Sequence, residues 1–249
     1  MKIAVLVIAN NEERHIGECI DSLRQQTLIP DEIVVINHNS TDRTGEIART
    51  FPVTVIDYAG PVGSVHARIH GFEALDGADI ILCIDGDSYA RKNWVETMSA
   101  LLMKPGQVLV GSWVRLIGTL YFFASALYWY PQCVRPEKAT EFIWGASFGI
   151  RGTHKKFAIA ALQKSMTLSY QLELAYNPDD YWLALFMHQH GGLEITNKTW
   201  VTAHAKESNS LQCVRRGIAA RRTRRKIEAL LRTQELPSLD NLDSSREGE

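Results

Sequence analysis

The sequence predicts an α/β fold in which helices cover both faces of a mostly parallel β-sheet. In the first hundred residues, short apolar runs alternate with segments whose apolar residues recur at helical spacing. The runs are continuously apolar, which is typical of strands that are covered on both faces. With 249 residues, of which 45% are hydrophobic, the chain is long enough to form one sizeable core.

Five strands and four helices are predicted in the first half of the chain. The strands run from Ile3 to Ala9, Glu32 to Ile36, Val53 to Ile56, Ile80 to Ile84 and Val108 to Val110. The helices run from Ile16 to Leu23, from about Thr44 onward, from Ser64 to Leu75 and from Trp94 to Met103. The first four strands are each followed by a helix, as expected for parallel strands that are joined by crossover connections.

The second half of the chain is less regular. Strands are predicted from Gly145 to Arg151, Glu194 to Thr196 and Trp200 to His204, and helices from Tyr181 to His190 and from Leu211 to Leu231. The last helix is basic and carries a partial apolar stripe. From residue 235 the chain is acidic and rich in serine, so we expect a disordered tail.

Charge and cysteine content limit the environments that suit this chain. The net charge is −1, so bulk charge does not indicate a polyanion binder. The four cysteines, which lack the paired spacing of metal sites, are Cys19, Cys83, Cys133 and Cys213. We expect free thiols in a reducing compartment. The sequence opens without a signal-peptide pattern, and the apolar stretch from Leu116 to Tyr130 is too short to cross a bilayer, so the expected location is cytoplasmic.

Polar residues follow four of the predicted strands, at the edge where open parallel sheets bind ligands. They run from Asn10 to Glu13, from Asn37 to Asp42 and from Tyr58 to Ser64, and they include the triplet Asp85-Gly86-Asp87. Two carboxylates around one glycine are costly to hold together unless a cation lies between them. The triplet therefore predicts a site for a hard divalent cation, although the same tripeptide also forms surface turns.

Several short motifs occur in a fixed order along the chain. They are Asn11-Glu12-Glu13, Ser22-Leu23, Gln26-Thr27, Ser40-Thr41-Asp42-Arg43-Thr44, Ala67-Arg68 with Gly71, Asp85-Gly86-Asp87 and Asp179-Asp180. In this order they resemble the motifs of family 2 glycosyltransferases, which have the GT-A fold. The resemblance extends from about Lys2 to His204. It implies an enzyme that moves a sugar from a nucleotide-diphosphate donor, a UDP- or GDP-sugar, to an acceptor hydroxyl.

The resemblance also implies roles for individual residues. Asp85 and Asp87 match the family's Asp-x-Asp motif for Mn²⁺ or Mg²⁺, and His204 is either a third metal ligand or a structural histidine. Asp180 is the expected general base of an inverting reaction, and Asp179 either caps the helix or shares that role. The residues expected to contact the donor are Asn10, Asn11, Glu12, Asn37, Asn39, Arg68, Asp85 and Gly86. Those expected to contact a saccharide or lipid-linked acceptor are Trp144, Gly145 and Ala146, and core packing is the alternative for Trp144.

Departures from the family pattern keep two alternatives open. Asn37 replaces the Asp that commonly accepts a hydrogen bond from the donor base, Ile69 replaces an Asn, and Asn10 stands where an aromatic residue is frequent. A non-catalytic nucleotide-sugar-binding protein of the same fold would tolerate these changes. A sugar-nucleotide nucleotidyltransferase is the other alternative, but it would need a glycine-rich basic loop where this chain has the acidic segment that ends at Glu13.

The expected domain organisation is one catalytic domain with a helical extension. Residues 1–210 form the catalytic domain, with a nucleotide-sugar-binding half (1–115) and an acceptor-binding half (116–210), and residues 211–234 form the extension. The basic helix from Leu211 to Leu231 either packs on the domain or contacts an anionic surface at the inner face of a membrane, and nucleic acid is the least favoured partner. The segment from Leu116 to Tyr130 is a buried helix, a contact of a homo-oligomer, or a support for a lipid-linked acceptor.

Overall fold

The computed structural model describes residues 1–117, 143, 145–174, 176–204 and 210–233. Within these residues, the strands are β1 Ile3–Ala9, β2 Glu32–His38, β3 Thr54–Tyr58, β4 Ile80–Asp85, β5 Ser88–Ala90, β6 Gln107–Ile117, β7 Ser147–Arg151 and β8 Gly192–His204. The helices are α1 Ile16–Arg24, α2 Thr44–Ala48, α3 Ser64–Ala74, α4 Trp94–Leu102, α5 Lys155–Gln171, α6 Asp179–Met187 and α7 Ser210–Thr233. The predictions for Trp144, for the tail from residue 235 and for most of the stretch from Leu116 to Tyr130 lie outside the described residues.

The strands form one sheet in the order β3-β2-β1-β4-β7-β6-β8-β5. β1, β2, β3 and β4 are parallel to their neighbours within this group, and β6 runs parallel to β8. β7 is antiparallel to both of its neighbours, and β5 is antiparallel to β8. The predicted α/β class with a mostly parallel sheet is confirmed, and the carboxyl ends of β1 to β4 lie at one edge of the sheet.

Helices cover both faces of the sheet, so β1 is buried along its whole length. Leu6 and Ile8 pack into a core cluster with α3, α5 and α6, whereas Val5 and Val7 pack into a second cluster with α1 and α4. Truncating Leu6 to alanine would cost about 2–5 kcal/mol of stability. A Cβ at Gly71 would overlap the Leu6 side chain, so glycine is what allows α3 to approach β1 closely.

β8 is one long strand rather than the two short strands that the sequence predicts. Its parallel pairing with β6 passes from Ser112 opposite Thr196 directly to Trp113 opposite Trp200, so residues 197–199 bulge out of the ladder. These bulged residues are polar and interrupt the apolar pattern. The sequence prediction therefore divides a strand that the fold keeps continuous.

The sequence prediction does not include α5 or β5, and it misplaces the start of α6. The buried residues of α5 are mostly small, among them Ala158, Ala161 and Ser165, and small residues give a weak hydrophobic signal. β5 is only three residues long. α6 begins at Asp179 rather than at the predicted Tyr181, which brings two carboxylates into its first turn.

Part of α7 packs against the catalytic domain. Ile227 is buried and Leu231 is partly buried against the same core as α5 and α6. Lys226 Nζ donates hydrogen bonds to the carbonyl oxygens of Leu172 at 2.8 Å and Glu173 at 3.0 Å. This half of the apolar stripe is therefore covered by protein. No helix in the described part of the chain is long and apolar enough to cross a membrane.

Candidate active site

The loops that follow β1 and β2 are joined by hydrogen bonds at the carboxyl edge of the sheet. Asn10 Nδ2 donates to the carbonyl oxygen of His38 at 2.6 Å. Asn11 Oδ1 accepts a hydrogen bond from the backbone N–H of Thr41 at 2.8 Å. These contacts hold the two loops side by side, where the sequence predicts the donor to bind.

Asn11 and Asn39 turn these loops sharply, with φ angles of 55° and 48°, in the left-handed region that Asn tolerates better than most residues. Asn39 Nδ2 donates to the carbonyl oxygen of Gly60 at 3.0 Å and so fastens the loop after β3. Glu12 is buried, and its backbone N–H donates to Thr44 Oγ1 at 2.7 Å. The loops after β1, β2 and β3 thus form one connected rim.

The acidic turn, Asp85-Gly86-Asp87, leads from β4 to β5 beside this rim. The backbone N–H of Gly86 donates to the carbonyl oxygen of Ile8 at 2.8 Å. A Cβ at Gly86 would lie 2.9 Å from Ala9 Cβ, so a larger residue would push the turn away from β1. The glycine therefore fixes both flanking carboxylates next to the loop that begins at Asn10.

Arg68 on α3 is a buried cation at the centre of the site, with 4% of its side chain exposed. Its Nη2 lies 3.1 Å from Asp85 Oδ1, and its Nη1 is paired with Asp179 Oδ2. The guanidinium carbon lies 5.8 Å from the ring centre of Phe148. A Cβ at Gly145 would come within 2.6 Å of Nη2, so glycine leaves the space that the guanidinium fills. Arg68 thereby joins α3, β4, α6 and the residues before β7.

The two adjacent carboxylates at the start of α6 have different partners. Asp179 is buried and forms the ion pair with Arg68. Asp180 Oδ2 accepts from the backbone N–H of Gly145 at 3.1 Å, and its Oδ1 accepts from the backbone N–H of Tyr181 at 2.8 Å. Asp179 is therefore occupied by an ion pair rather than acting as a simple helix cap, and Asp180 lies next to the predicted acceptor side.

Burial and mutual repulsion raise the pKa of two of these carboxyls. The pKa of Asp180 is raised to about 7 by burial and by the charge of Asp179, while Arg68 opposes the shift. Enclosure by protein raises the pKa of Asp85 to about 6, with Asp87 adding to the shift and Arg68 again opposing it. The enclosure is partial, because 35% of the Asp85 side chain remains exposed. The charges of Asp85, Asp179 and Asp180 all act on one guanidinium, and Asp87 adds a fourth negative charge beside Asp85, which favours binding of a further cation.

Asn37, near the end of β2, is oriented by a residue of β3. Its Nδ2 donates to Asp57 Oδ1 at 2.7 Å, and Asp57 is in turn paired with the half-exposed Arg49. Because an ionised carboxylate only accepts hydrogen bonds, the amide nitrogen of Asn37 faces Asp57 and its oxygen faces away. This oxygen is shielded from solvent and has no hydrogen-bond partner among the described residues. Asn37 therefore has a buried acceptor that is unsatisfied among the described residues.

His204 ends β8 next to the acidic turn. Its backbone N–H donates to the carbonyl oxygen of Asp87 at 2.9 Å. Its ring stacks on His15 with ring centres 4.0 Å apart, and it also lies near Tyr89. Its Nε2 lies 3.4 Å from Glu18 Oε2. The ring thus points towards α1, and a role for His204 as a third ligand of the donor metal stays a prediction.

Sequence reasoning did not identify Asp57, His15 or Glu18 as neighbours of the site. Asp57 lies between the predicted third strand, which ends at Ile56, and the predicted polar loop, which begins at Tyr58, and nothing in its local pattern relates it to Asn37. His15 and Glu18 have the spacing of neighbours on one helix face. His204, which contacts both of them, is far away in the sequence, at the end of β8. Of the predicted acceptor-side residues, Gly145 contacts the site directly, whereas Ala146 packs against the core.

The profile described as Glycosyl transferase family 2 matches residues 4–157, which is more than half of the chain. The chain belongs to glycosyl transferase family 2. This family 2 member is 32% identical over 101 residues to 4,4'-diaponeurosporenoate glycosyltransferase of Staphylococcus aureus. The match covers 39% of the chain and spans only 27% of that relative's length.

Solved structures with the same fold can be aligned with most of the residues of this family 2 member. Glucosyl-3-phosphoglycerate synthase from Mycobacterium tuberculosis, in complex with Mn²⁺, UDP and phosphoglyceric acid, has a TM-score of 0.60 and 19% identity over 95% of this chain and 80% of that chain. TarS 1-349 of S. aureus, in complex with UDP-GlcNAc, has a TM-score of 0.56 and 17% identity over 85% of this chain and 61% of that chain. The family 2 member therefore has the GT-A fold.

Proposed function

We propose that this chain transfers a sugar from a nucleoside-diphosphate sugar to an acceptor hydroxyl, with the help of a divalent metal ion. The observation that carries the proposal is the position of Asp85 against the buried Arg68, with Asp180 held nearby by Gly145. Sugar transfer develops negative charge on the departing diphosphate and requires removal of a proton from the acceptor. Asp85 and Arg68 offer groups for the first task, and Asp180 offers a group for the second.

Asp85 and Asp87 are suited to hold Mn²⁺ or Mg²⁺, because hard divalent cations prefer carboxylate oxygens. The raised pKa of Asp85 reflects an incompletely compensated negative charge, which a cation would relieve. A bound ion would neutralise charge on the diphosphate. The Mn²⁺ named in the mycobacterial synthase complex supports manganese as the first ion to test. His204 is the candidate third protein ligand.

Arg68 supports the same diphosphate charge in this proposal. Its Nη2 is the atom that contacts Asp85, whereas Nη1 is held by the more deeply buried Asp179. If Asp85 held a metal ion, Nη2 of Arg68 would be available to an anionic ligand, and Asp179 would keep the guanidinium in place. Asp179 is therefore a positioning residue for Arg68.

Asp180 acts as the general base. With a pKa of about 7, its carboxyl is ionised in a substantial fraction of molecules at neutral pH and still binds a proton well, which is the balance that general base catalysis needs. Its contact with Gly145 places it on the predicted acceptor side. Attack from the face opposite the leaving diphosphate would invert the anomeric centre.

The donor nucleotide is proposed to be UDP-linked. Oδ1 of Asn37, unsatisfied among the described residues, is an acceptor for a ring N–H, which uracil and guanine carry and cytosine lacks. The uridine nucleotides named in the complexes of both structural neighbours favour uracil over guanine. Asp57 fixes the orientation of the Asn37 amide, so the pair performs the recognition that a single Asp commonly performs in the family.

The acceptor is proposed to be a saccharide or a lipid-linked molecule that approaches Gly145 and Asp180. The 4,4'-diaponeurosporenoate in the name of the staphylococcal relative supports a lipid-type acceptor. Such an acceptor would suit contact between α7 and an anionic membrane surface. Arg222 and Arg225 are exposed and available for such a contact.

Calorimetric titration with UDP, with and without Mn²⁺, tests the metal role. We expect Mn²⁺ to tighten the binding of UDP to the wild type. Asp85→Asn and Asp87→Asn should each lose this gain in affinity. The loss should be at least about 10–100-fold, which is the effect of mutating residues that only support a metal ligand. Asp76→Asn, whose side chain is 92% exposed outside the site, should behave as the wild type. UDP binding that ignores Mn²⁺ in the wild type would refute the metal role.

A transfer assay separates the enzyme from the alternatives. Incubation with UDP-sugars and a mixed acceptor extract should release UDP, whereas a non-catalytic binding protein would bind the donor without turnover. A nucleotidyltransferase would instead form a nucleotide-sugar from a nucleoside triphosphate and a sugar phosphate, with release of pyrophosphate. The acidic loop that contains Glu12 and Glu13 disfavours triphosphate binding at that edge.

A further inference from the structure

The imidazole ring of His204 is packed between side chains of α1 and β5. His15, which immediately precedes α1, stacks on the ring with 16° between the two ring planes. Tyr89 of β5 is tilted against the same ring, with the ring centres 5.9 Å apart. Only 27% of the His204 side chain is exposed. These neighbours give the ring a defined position at the end of β8.

Backbone hydrogen bonds fix both sides of this ring contact. The N–H of His15 donates to the carbonyl oxygen of Glu12 at 2.9 Å, and the N–H of His204 donates to the carbonyl oxygen of Asp87 at 2.9 Å. Asp87 belongs to the acidic turn, so the main chain of His204 is tied directly to the candidate metal site. Nδ1 is the ring nitrogen nearer to that main chain, and Nε2 is the nitrogen farther from it.

The Nε2 atom of His204 faces a carboxylate of α1. It lies 3.4 Å from Oε2 of Glu18, which is in the first turn of that helix. Nε2 is shielded from solvent and has no hydrogen-bond partner among the described residues. The two nitrogens of an imidazole ring point away from each other, so Nδ1 is directed away from Glu18.

This arrangement suits a histidine that binds a metal ion through one nitrogen only. Such a histidine almost always donates its other ring N–H to a carboxylate, a carbonyl or water, which fixes the tautomer and the orientation of the ring. A proton on Nε2 of His204 leaves the lone pair of Nδ1 for a metal ion. Glu18 is 55% exposed, so its side chain can rotate and shorten the present contact to a hydrogen bond.

We propose that Glu18 is a positioning residue for the donor metal. It accepts a hydrogen bond from Nε2 of His204 and thereby presents Nδ1 to the ion that Asp85 and Asp87 hold. The inference rests on the proposed function, in which His204 is the third protein ligand. It adds a residue that contacts neither the metal nor the donor, and it gives the stacked His15 ring a role in keeping the imidazole in place.

Titration of the full chain with Mn²⁺ in the presence of UDP tests the proposal. The electron paramagnetic resonance signal of free Mn²⁺ measures binding, and a titration of UDP without protein is subtracted. Glu18→Ala should weaken Mn²⁺ binding by about 10–100-fold, as expected for a residue that supports a metal ligand. Glu18→Gln should lose less, because its amide oxygen still accepts from Nε2. Asp21→Ala removes a comparably exposed carboxylate from the same helix and should bind Mn²⁺ as the wild type does.

A double-mutant cycle with His204→Phe separates positioning from a general effect of charge. Phenylalanine keeps an aromatic ring beside His15 and removes both ring nitrogens. In this background, Glu18→Ala should cause no further loss of Mn²⁺ affinity. A further loss as large as that in the wild type would overturn the proposal, because Glu18 would then act on the metal without His204.

Two results distinguish failure of this proposal from failure of the proposed function. Weaker Mn²⁺ binding in Asp85→Asn, with unchanged binding in His204→Phe or in Glu18→Ala, keeps the metal role and overturns only the positioning role. A wild type that binds no Mn²⁺ in the presence of UDP overturns both. Glu18 lies on the surface, so the comparison of Glu18→Ala with Asp21→Ala decides the question if His204→Phe does not fold.

Discussion

Arg68 and Asp179 form a buried ion pair between residues that are 111 positions apart in sequence. Both side chains are almost completely removed from solvent, with 4% and 10% exposed. Removing one member of such a pair leaves the other as an uncompensated buried charge. The pair is therefore a structural connection between α3 and α6 as well as part of the candidate site.

Arg68→Ala should lower the free energy of unfolding by about 3–5 kcal/mol, because it leaves the carboxylate of Asp179 buried and unpaired. Urea denaturation of the full chain measures this effect. Arg49→Ala is the matched control, since it breaks the exposed ion pair with Asp57 and should cost only about 0–1 kcal/mol. Equal losses in the two variants would contradict a structural role for the buried pair.

Asp180→Asn should lower turnover by about 10²–10⁴-fold and leave UDP affinity unchanged, because it removes the proposed base but not the metal ligands. In the wild type, the rate should rise as pH increases through about 7, where the carboxyl of Asp180 ionises. The variant should lack this limb of the pH profile. An unchanged profile in Asp180→Asn would assign the base to another group.

The raised pKa of Asp180 also affects stability, with a sign opposite to that of most carboxyls. The folded state holds the proton more tightly than the unfolded state, so this group favours folding at low pH and loses that contribution as pH rises through about 7. Asp180→Asn should therefore raise the unfolding free energy relative to the wild type at pH 8, and the difference should shrink towards pH 4. Thermal melting across this range measures it, and a constant difference would contradict the assigned shift.

Asn37→Asp should weaken UDP binding, because it places a second carboxylate beside Asp57 at the position where Nδ2 now donates. The double variant Asn37→Asp, Asp57→Asn exchanges the two groups and should restore binding, since the new Asn can donate to the new Asp. Calorimetry with UDP and Mn²⁺ compares the three proteins. If the single variant binds as the wild type does, the nucleobase does not contact Asn37.

Association of α7 with anionic vesicles should be weak and sensitive to salt. Exposed Arg222 and Arg225 contribute about 1 kcal/mol each near an anionic surface, whereas the apolar Ile227 is already buried in the protein. Replacing both arginines with Gln should reduce co-sedimentation at low salt, and replacing the exposed Lys92 and Lys156 with Gln should reduce it less. Equal loss in both pairs would indicate a nonspecific effect of charge on the whole chain.

The sequence predicted the edge of the sheet that carries the site, because loops after parallel strands must emerge together. Asp85 and Asp87 were recognisable from their own spacing. The ion pair between Arg68 and Asp179 could not be recognised from the sequence, because local patterns carry no information on how α3 and α6 pack together. The orientation of Asn37 by Asp57 and the stacking of His15 on His204 depend on strand register and long-range packing, which short motifs do not encode.

Gly145 serves two neighbours with a single peptide. Its N–H binds Asp180, and its missing side chain makes room for Arg68. Because the first contact lies on the proposed acceptor side and the second on the proposed donor side, movement of either group displaces the same few atoms. We therefore expect binding of the donor and of the acceptor to be interdependent. Binding of one should change the affinity for the other without any large rearrangement of the domain.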